Sequence, residues 1–273
     1  MLRKSSTRNV TKGVLVYFFV AISLLCSLTV KSNPTKHVYW QIGNATREAL
    51  VYIPEHATSK LTPIIFVFHG HGGNMQNMLM SRGFEKLWPE AIVIYPQGLN
   101  TPGQLTDPQG KLPGWQKAPG DMRDRDLHFF DEMLKTLKQD YRVDDKRIYA
   151  TGHSNGGGFT YLLWAVRSEV FAAFAPSAAV GGKVISQLKP KPAMHIMGEK
   201  DPLVKTQWQS AMCHQILKIN DCNPIGHPYA TYAMLYTSAI GTPIVLYIHP
   251  GGHTYPVEAN AVVIKFFKSV TKL

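Results

Sequence analysis

One stretch limits the folds open to this chain more than any other: Arg147-Ile-Tyr-Ala-Thr-Gly-His-Ser-Asn-Gly-Gly-Gly158. The apolar run Ile148 to Thr151 reads as a buried strand, and Phe159-Thr-Tyr-Leu-Leu-Trp-Ala-Val166 as a following helix. Between them, Gly152-His153-Ser154-Asn155-Gly156 has the G-x-S-x-G spacing of a nucleophile elbow. In such an elbow the serine sits on a strained strand-to-helix turn too tight for Cβ atoms two positions either side. The next N–H, that of Asn155, then points from a helix N-terminus at a developing oxyanion. The alternative is a glycine-rich turn that happens to hold a serine. A strand before it and a helix after it separate the two readings.

The other elements follow in an order that matches. His37 to Ile53 alternates around Gly43-Asn44, which predicts a leading hairpin. Leu61 to Phe68 is a continuous apolar run, as in a central parallel strand, and it leads into His69-Gly-His-Gly-Gly73. The backbone N–H of His71, between glycines, is the candidate second oxyanion donor; His69 is assigned to local hydrogen bonding. Ala91 to Tyr95 is the next strand. The Gly- and Pro-rich loop Leu99 to Asp121 carries Trp115, either a wall of a substrate cleft or a pin holding the loop to the body. Asp126 to Tyr141 has an apolar stripe at helical spacing, and Phe171–Ala175 and Pro192–Met197 read as further strands.

A carboxylate just past a strand end, Asp201, stands where a histidine-orienting acid belongs, with Glu199 in reserve; its other reading is a turn or N-cap residue before Pro202. After the last strand, Pro243 to Ile248, His253 follows Gly251-Gly252 on a flexible loop, whereas His249 at the strand end is assigned a structural role. Residues 205–242 are expected to form a small cap, and Val257 to Leu273 a closing helix. The order Ser154, Asp201, His253 is that of α/β-hydrolases. The expected fold is therefore an α/β-hydrolase: a mostly parallel central sheet with helices on both faces.

Composition matters mainly at the N-terminus. Of the formal charge of +11, five basic residues lie in residues 1–32, which hold no acid. Polar, basic Met1 to Lys12 followed by uncharged Gly13 to Val30 reads as a signal peptide, or else an uncleaved membrane anchor, with cleavage before Asn33. The chain is thus expected to be secreted or periplasmic, with residues 33–273 a single catalytic domain, and to meet a membrane only if the leader stays attached. No basic patch interleaved with aromatics points to nucleic acid. In an oxidising compartment Cys213 and Cys222 are candidates for a disulfide; two unpaired, buried thiols are the alternative. His69 and His71 have no third ligand nearby in sequence, so neither a metal nor an organic cofactor is expected.

From about Leu50 to Phe267 the chain resembles secreted esterases of the polyhydroxybutyrate depolymerase, feruloyl esterase and acetylxylan esterase group. The matching stretches are His69–Gly73, Asp145–Gly157, Phe171–Pro176, Gly198–Val204 and Gly252-His-Thr-Tyr-Pro256. The resemblance implies Ser154 as nucleophile, with Asp201 and His253 as its partners, acting on a small-molecule or oligomeric ester. Tyr255 stands where the group often has tryptophan, and joins Trp115 as a candidate pocket residue. Because no polymer-binding module is appended, a soluble ester is expected over a solid polymer. A serine peptidase of the same fold is the alternative enzyme, and a non-catalytic binding protein the alternative from another class.

Overall fold

The computed structural model describes residues 35–272, so the N-terminal segment read as a leader lies outside the described residues. Strands β1 (Lys36–Ile42) and β2 (Ala45–Tyr52) form an antiparallel hairpin that turns through Gly43, whose φ of 57° suits glycine. β3 (Thr62–Phe68) is buried at every residue, as its unbroken apolar run predicts. Helices α1 (Met75–Arg82) and α2 (Phe84–Leu87) lead to β4 (Ile92–Pro96). The Gly/Pro-rich loop is tied by a two-residue ladder between β5 (Leu99–Asn100) and β6 (Pro113–Gly114). Then come α3 (Arg125–Asp140), β7 (Val143–His153), α4 (Asn155–Val166), β8 (Ala173–Ser177), β9 (Ala193–Gly198) and α5 (Thr206–Ile219). The chain closes with β10 (His227–Ala230), β11 (Ala233–Tyr236), β12 (Ile244–His249) and α6 (Ala259–Ser269).

Ten strands form one sheet in the order β1-β2-β4-β3-β7-β8-β9-β12-β11-β10. The six from β4 to β12 run parallel, and an antiparallel pair extends each edge. Alternation along β3 divides the core. Ile64, Phe66 and Phe68 face a layer that includes Phe130, Phe159, Leu163 and Ile216 from α3, α4 and α5. Ile65 and Val67 face Met78, Phe84, Val263 and Phe267 from α1, α2 and α6. Helices therefore cover both faces, and the expected α/β-hydrolase architecture is the one observed.

Two expectations need correction. Residues 205–242 do not fold as a cap. The apolar stripe of α5, with Met212, Cys213 and Ile216 buried, packs onto the sheet, and β10 and β11 continue the sheet at its edge. The disulfide is also absent, and both cysteines are free. α5 turns Cys213 inward, its Sγ 3.9 Å from Met197 Sδ, whereas Cys222 lies beyond the helix end in a bridge with Ser238. Among the described residues no helix is long and apolar enough to cross a membrane.

Candidate active site

Parallel strands present their carboxyl ends at one edge of a sheet, where loops can converge. β7 ends at His153, and Ser154 follows with φ 55° and ψ −117°, a conformation that side-chain-bearing residues avoid. Its N–H donates to the Ser177 carbonyl at 2.8 Å, and its own carbonyl accepts from Gly158 N–H at 2.9 Å. A Cβ at Gly152 would run into the Gly156 carbonyl, and one at Gly156 into the Phe68 carbonyl. Both elbow glycines are thus demanded by backbone packed against backbone.

Ser154 Oγ lies 2.8 Å from His253 Nε2, and His253 Nδ1 lies 2.8 Å from Asp201 Oδ2. An ionised carboxylate only accepts, so Nδ1 carries the proton and Nε2 accepts from the serine hydroxyl. Asp201 has a fully buried side chain and is held by more than its histidine. Its Oδ1 accepts from the N–H groups of Leu203 (2.9 Å) and Val204 (3.0 Å), and its Oδ2 also accepts from Gln209 Nε2 (2.9 Å). The acid and histidine loops are joined by backbone as well. Glu199 N–H donates to the His249 carbonyl (2.9 Å) and Lys200 N–H to that of Gly251 (3.0 Å), continuing the β9–β12 ladder past the strand ends. Glu199, the reserve acid, points to solvent.

The other histidines around the site are occupied. His249 Nδ1 accepts from Gly251 N–H at 3.1 Å. His69 Nδ1 donates to the Gly70 carbonyl (2.7 Å) and Nε2 accepts from Gly98 N–H (2.9 Å), while burial holds its pKa down to about 4. His153 lies beneath His253, their ring centroids 5.1 Å apart, and burial, aided by nearby Arg82, lowers its pKa to about 3. His71 and Asn155 border the same cavity as Ser154. The His71 ring is anchored by Asp107 Oδ2 (3.1 Å), which also accepts from Leu112 N–H (2.8 Å). The Asn155 side chain grips the Trp115 backbone from both sides, accepting from its N–H (2.6 Å) and donating to its carbonyl (3.0 Å).

The two candidate pocket residues lie elsewhere. Trp115 is completely buried, packed on Phe68 and Phe159 with Nε1 donating to the His69 carbonyl at 2.9 Å, and so pegs the loop to the body. Tyr255 lies under the Arg82 guanidinium, 3.4 Å from its ring centroid, and edge-on to His153; burial pushes its hydroxyl up to about 12. Neither ring borders the cavity over Ser154, which has a volume of about 490 Å³. One flank of that cavity is apolar, with Val180, Leu203, Val204 and Trp208; another carries Lys117 and Lys183. Trp208, 46% exposed at the rim, and the buried Gln209 are site residues that sequence reasoning missed. The signal available for Trp208 was a tryptophan beside a helical stripe that does not need it; for Gln209 there was none.

Comparison with known proteins bears on the family and the fold. The esterase family model matches residues 41–215. Feruloyl esterase C of Emericella nidulans is 27% identical over 224 residues, 76% of this chain and 76% of that protein. The bifunctional acetylxylan esterase/xylanase of Neocallimastix patriciarum is 28% identical over 173 residues, 62% of this chain but 23% of its own length. Among solved structures, the acetyl xylan esterase of Aspergillus awamori superposes with a TM-score of 0.62 at 14% identity, covering 86% of this chain and 99% of that one, a likeness of fold. The resemblance read from the sequence motifs points to the same group. The chain belongs to the esterase family and is a carboxylic ester hydrolase built on the α/β-hydrolase fold.

Proposed function

We propose that Ser154 is the nucleophile of an exported esterase, with His253 as general base and acid, and Asp201 as its orienting carboxylate. The observation that carries this reading is the continuous hydrogen-bonded line from Ser154 Oγ through His253 to Asp201 at the floor of the cavity. His253 Nε2 takes the serine proton as Oγ attacks the ester carbonyl. The N–H groups of Asn155 and His71 receive the oxyanion, and buried Asp201 stabilises the imidazolium. The alcohol departs with the proton from His253, and water releases the acid by the same route. Residues 33–273 act as one catalytic domain, in keeping with the compact unit Ser32–Leu273. Basic Met1–Lys12 and the uncharged stretch after it direct export.

The substrate is an ester of a small or aromatic acid. The apolar flank of Leu203, Val204 and Trp208 suits a planar acyl group or a sugar ring stacked on indole. Feruloyl and acetylxylan esterases among the relatives give the esters to try first. The test compares methyl ferulate, acetylated xylan, hydroxybutyrate oligomers and short nitrophenyl esters with matched amides, using Ser154→Ala as control. Hydrolysis of one natural ester, abolished in the control, is expected. Full activity in Ser154→Ala, or preference for the amides, overturns the reading.

A further inference from the structure

The face of α5 that packs on the sheet is apolar except at one completely buried position, Gln209. An amide there is unfavourable unless its groups are bonded, so its partners show what it does. Gln209 Nε2 donates to Asp201 Oδ2 at 2.9 Å and to the Val204 carbonyl at 2.6 Å. Its Oε1 is buried without a hydrogen-bond partner, as is Nε2 of His195 on β9. The two side chains adjoin, and the Gln209 amide favours the protonated ring against the burial that holds His195 down to about 4. On the other side, His195 Nδ1 lies 2.7 Å from the hydroxyl of Tyr161, on α4. Tyr161, His195 and Gln209 are all completely buried.

These partners leave one consistent assignment of protons. Burial pushes the Tyr161 hydroxyl well above its ordinary range, so it stays protonated and donates to Nδ1. The neutral imidazole then carries its proton on Nε2, on the side of the Gln209 amide. The amide can sit only one way round, because a flipped Gln209 would set its carbonyl against the Asp201 carboxylate and the Val204 carbonyl. The bond from Gln209 ends on Asp201 Oδ2, the same oxygen that accepts from His253, and the buried Tyr161–His195 pair lies behind the amide. We infer that Gln209, backed by the buried His195–Tyr161 pair, is a positioning residue that sets the rotation of the Asp201 carboxylate and tempers the basicity of His253. The inference rests on the proposed triad. Gln209 draws charge from the oxygen that faces the imidazole, so its removal makes His253 more basic as well as less well held.

The pH dependence of kcat/KM reads this directly. The other titratable or charged groups facing the Asp201–His253 pair are His153 beneath the histidine, with Arg82 behind it, and His249 on the adjoining loop, while exposed Glu199 acts on His249. None of them touches Gln209 through a hydrogen bond. The experiment uses the purified protein and nitrophenyl acetate, with Gln209→Met, Gln209→Glu, Tyr161→Phe and Ser154→Ala, each checked for folding by circular dichroism. Gln209→Met keeps the volume and loses the donor. It is expected to lower kcat roughly 10- to 100-fold with little change in KM, and to move the acid limb of kcat/KM to higher pH. Gln209→Glu can still donate to Asp201 while protonated, so its activity is expected to approach wild type at the acid end and fall as pH rises. Tyr161→Phe removes one hydroxyl and is expected to move the acid limb the same way by less. A folded Gln209→Met with wild-type kcat and acid limb overturns the inference. Should that variant not fold, wild-type pH profiles in both Gln209→Glu and Tyr161→Phe overturn it equally. An inactive Ser154→Ala beside unaffected Gln209 variants removes the inference alone, whereas an active Ser154→Ala removes the triad and the inference with it.

Discussion

Arg47 and Asp126 form an ion pair of 2.9 Å in which neither side chain is more than 1% exposed. It joins β2 to the first turn of α3, and the Arg47 guanidinium also donates to the carbonyls of Arg125 and Gln97 and lies over the Phe129 ring. Asp126 in turn accepts from Gln116 N–H, next to Trp115, so the pair anchors the loop that walls the cavity. Replacing Arg47 with methionine leaves a buried carboxylate with only the Gln116 N–H and the more distant Arg125 guanidinium, at 3.9 Å. The expected loss is about 3–5 kcal/mol of stability, measured by urea denaturation. A loss under about 1 kcal/mol would mean that Asp126 finds water or another donor.

Asp201→Asn is expected to keep the fold and lower kcat by about 10⁴-fold, because the amide can turn its NH₂ toward His253 and favour the wrong tautomer. Steady-state kinetics beside a thermal melt checks both halves. A folded variant with near-normal kcat would shift the acid's role elsewhere.

Three buried imidazoles couple stability to pH. Burial depresses His69 to about 4, His153 to about 3 and His195 to about 4, from 6.5 when unfolded. Below about pH 6.5 the unfolded chain therefore takes up protons that the folded protein does not. The stability from keeping these rings neutral is complete above that pH and is lost as pH falls toward about 4, each ring adding up to about 1.4 kcal/mol per pH unit. Urea midpoints across this range give the slope, and imidazole proton resonances show which rings resist titration. Three rings that titrate normally in the folded protein would refute the argument.

Burial pushes the Cys213 thiol up to about 12, and no disulfide joins it to Cys222. A reducing agent is expected to leave Tm unchanged, and iodoacetamide to spare Cys213 until the protein unfolds. Peptide mass analysis after alkylation distinguishes this from a bridged pair, which would show a large fall in Tm on reduction.

Trp208→Ala is expected to raise KM for an aromatic ester up to about tenfold while leaving acetyl ester hydrolysis nearly unchanged. The comparison separates a stacking platform from a rim residue the substrate never meets; equal effects on both esters would favour the latter.

Much of the sheet was legible because burial on both faces demands unbroken apolar runs, as in Ile64–Phe68 and Ile148–Ala150. The elbow was legible because backbone contacts allow only glycine at 152 and 156. Trp115 was not, since an indole in a Gly/Pro-rich loop has the same local signature whether it lines a cleft or pins the loop beneath it. The cysteines were misjudged for a related reason. Closeness in sequence says nothing of direction, and α5 turns Cys213 toward Met197. Gln209 and Asp201 meet only because α5 folds back over the loop after β9, which no local pattern encodes.

The backbone bonds that carry the β9–β12 ladder into the acid and histidine loops bear on how this site tolerates motion. Those two loops form a single plate, so thermal flexing of the sheet displaces carboxylate and imidazole together and leaves their spacing intact. The serine rides on another strand, with β8 between it and the plate. The coordinate of the site least tied by backbone is therefore the contact between Oγ and Nε2, 2.8 Å long here, and a bound ester has one distance to preserve instead of two.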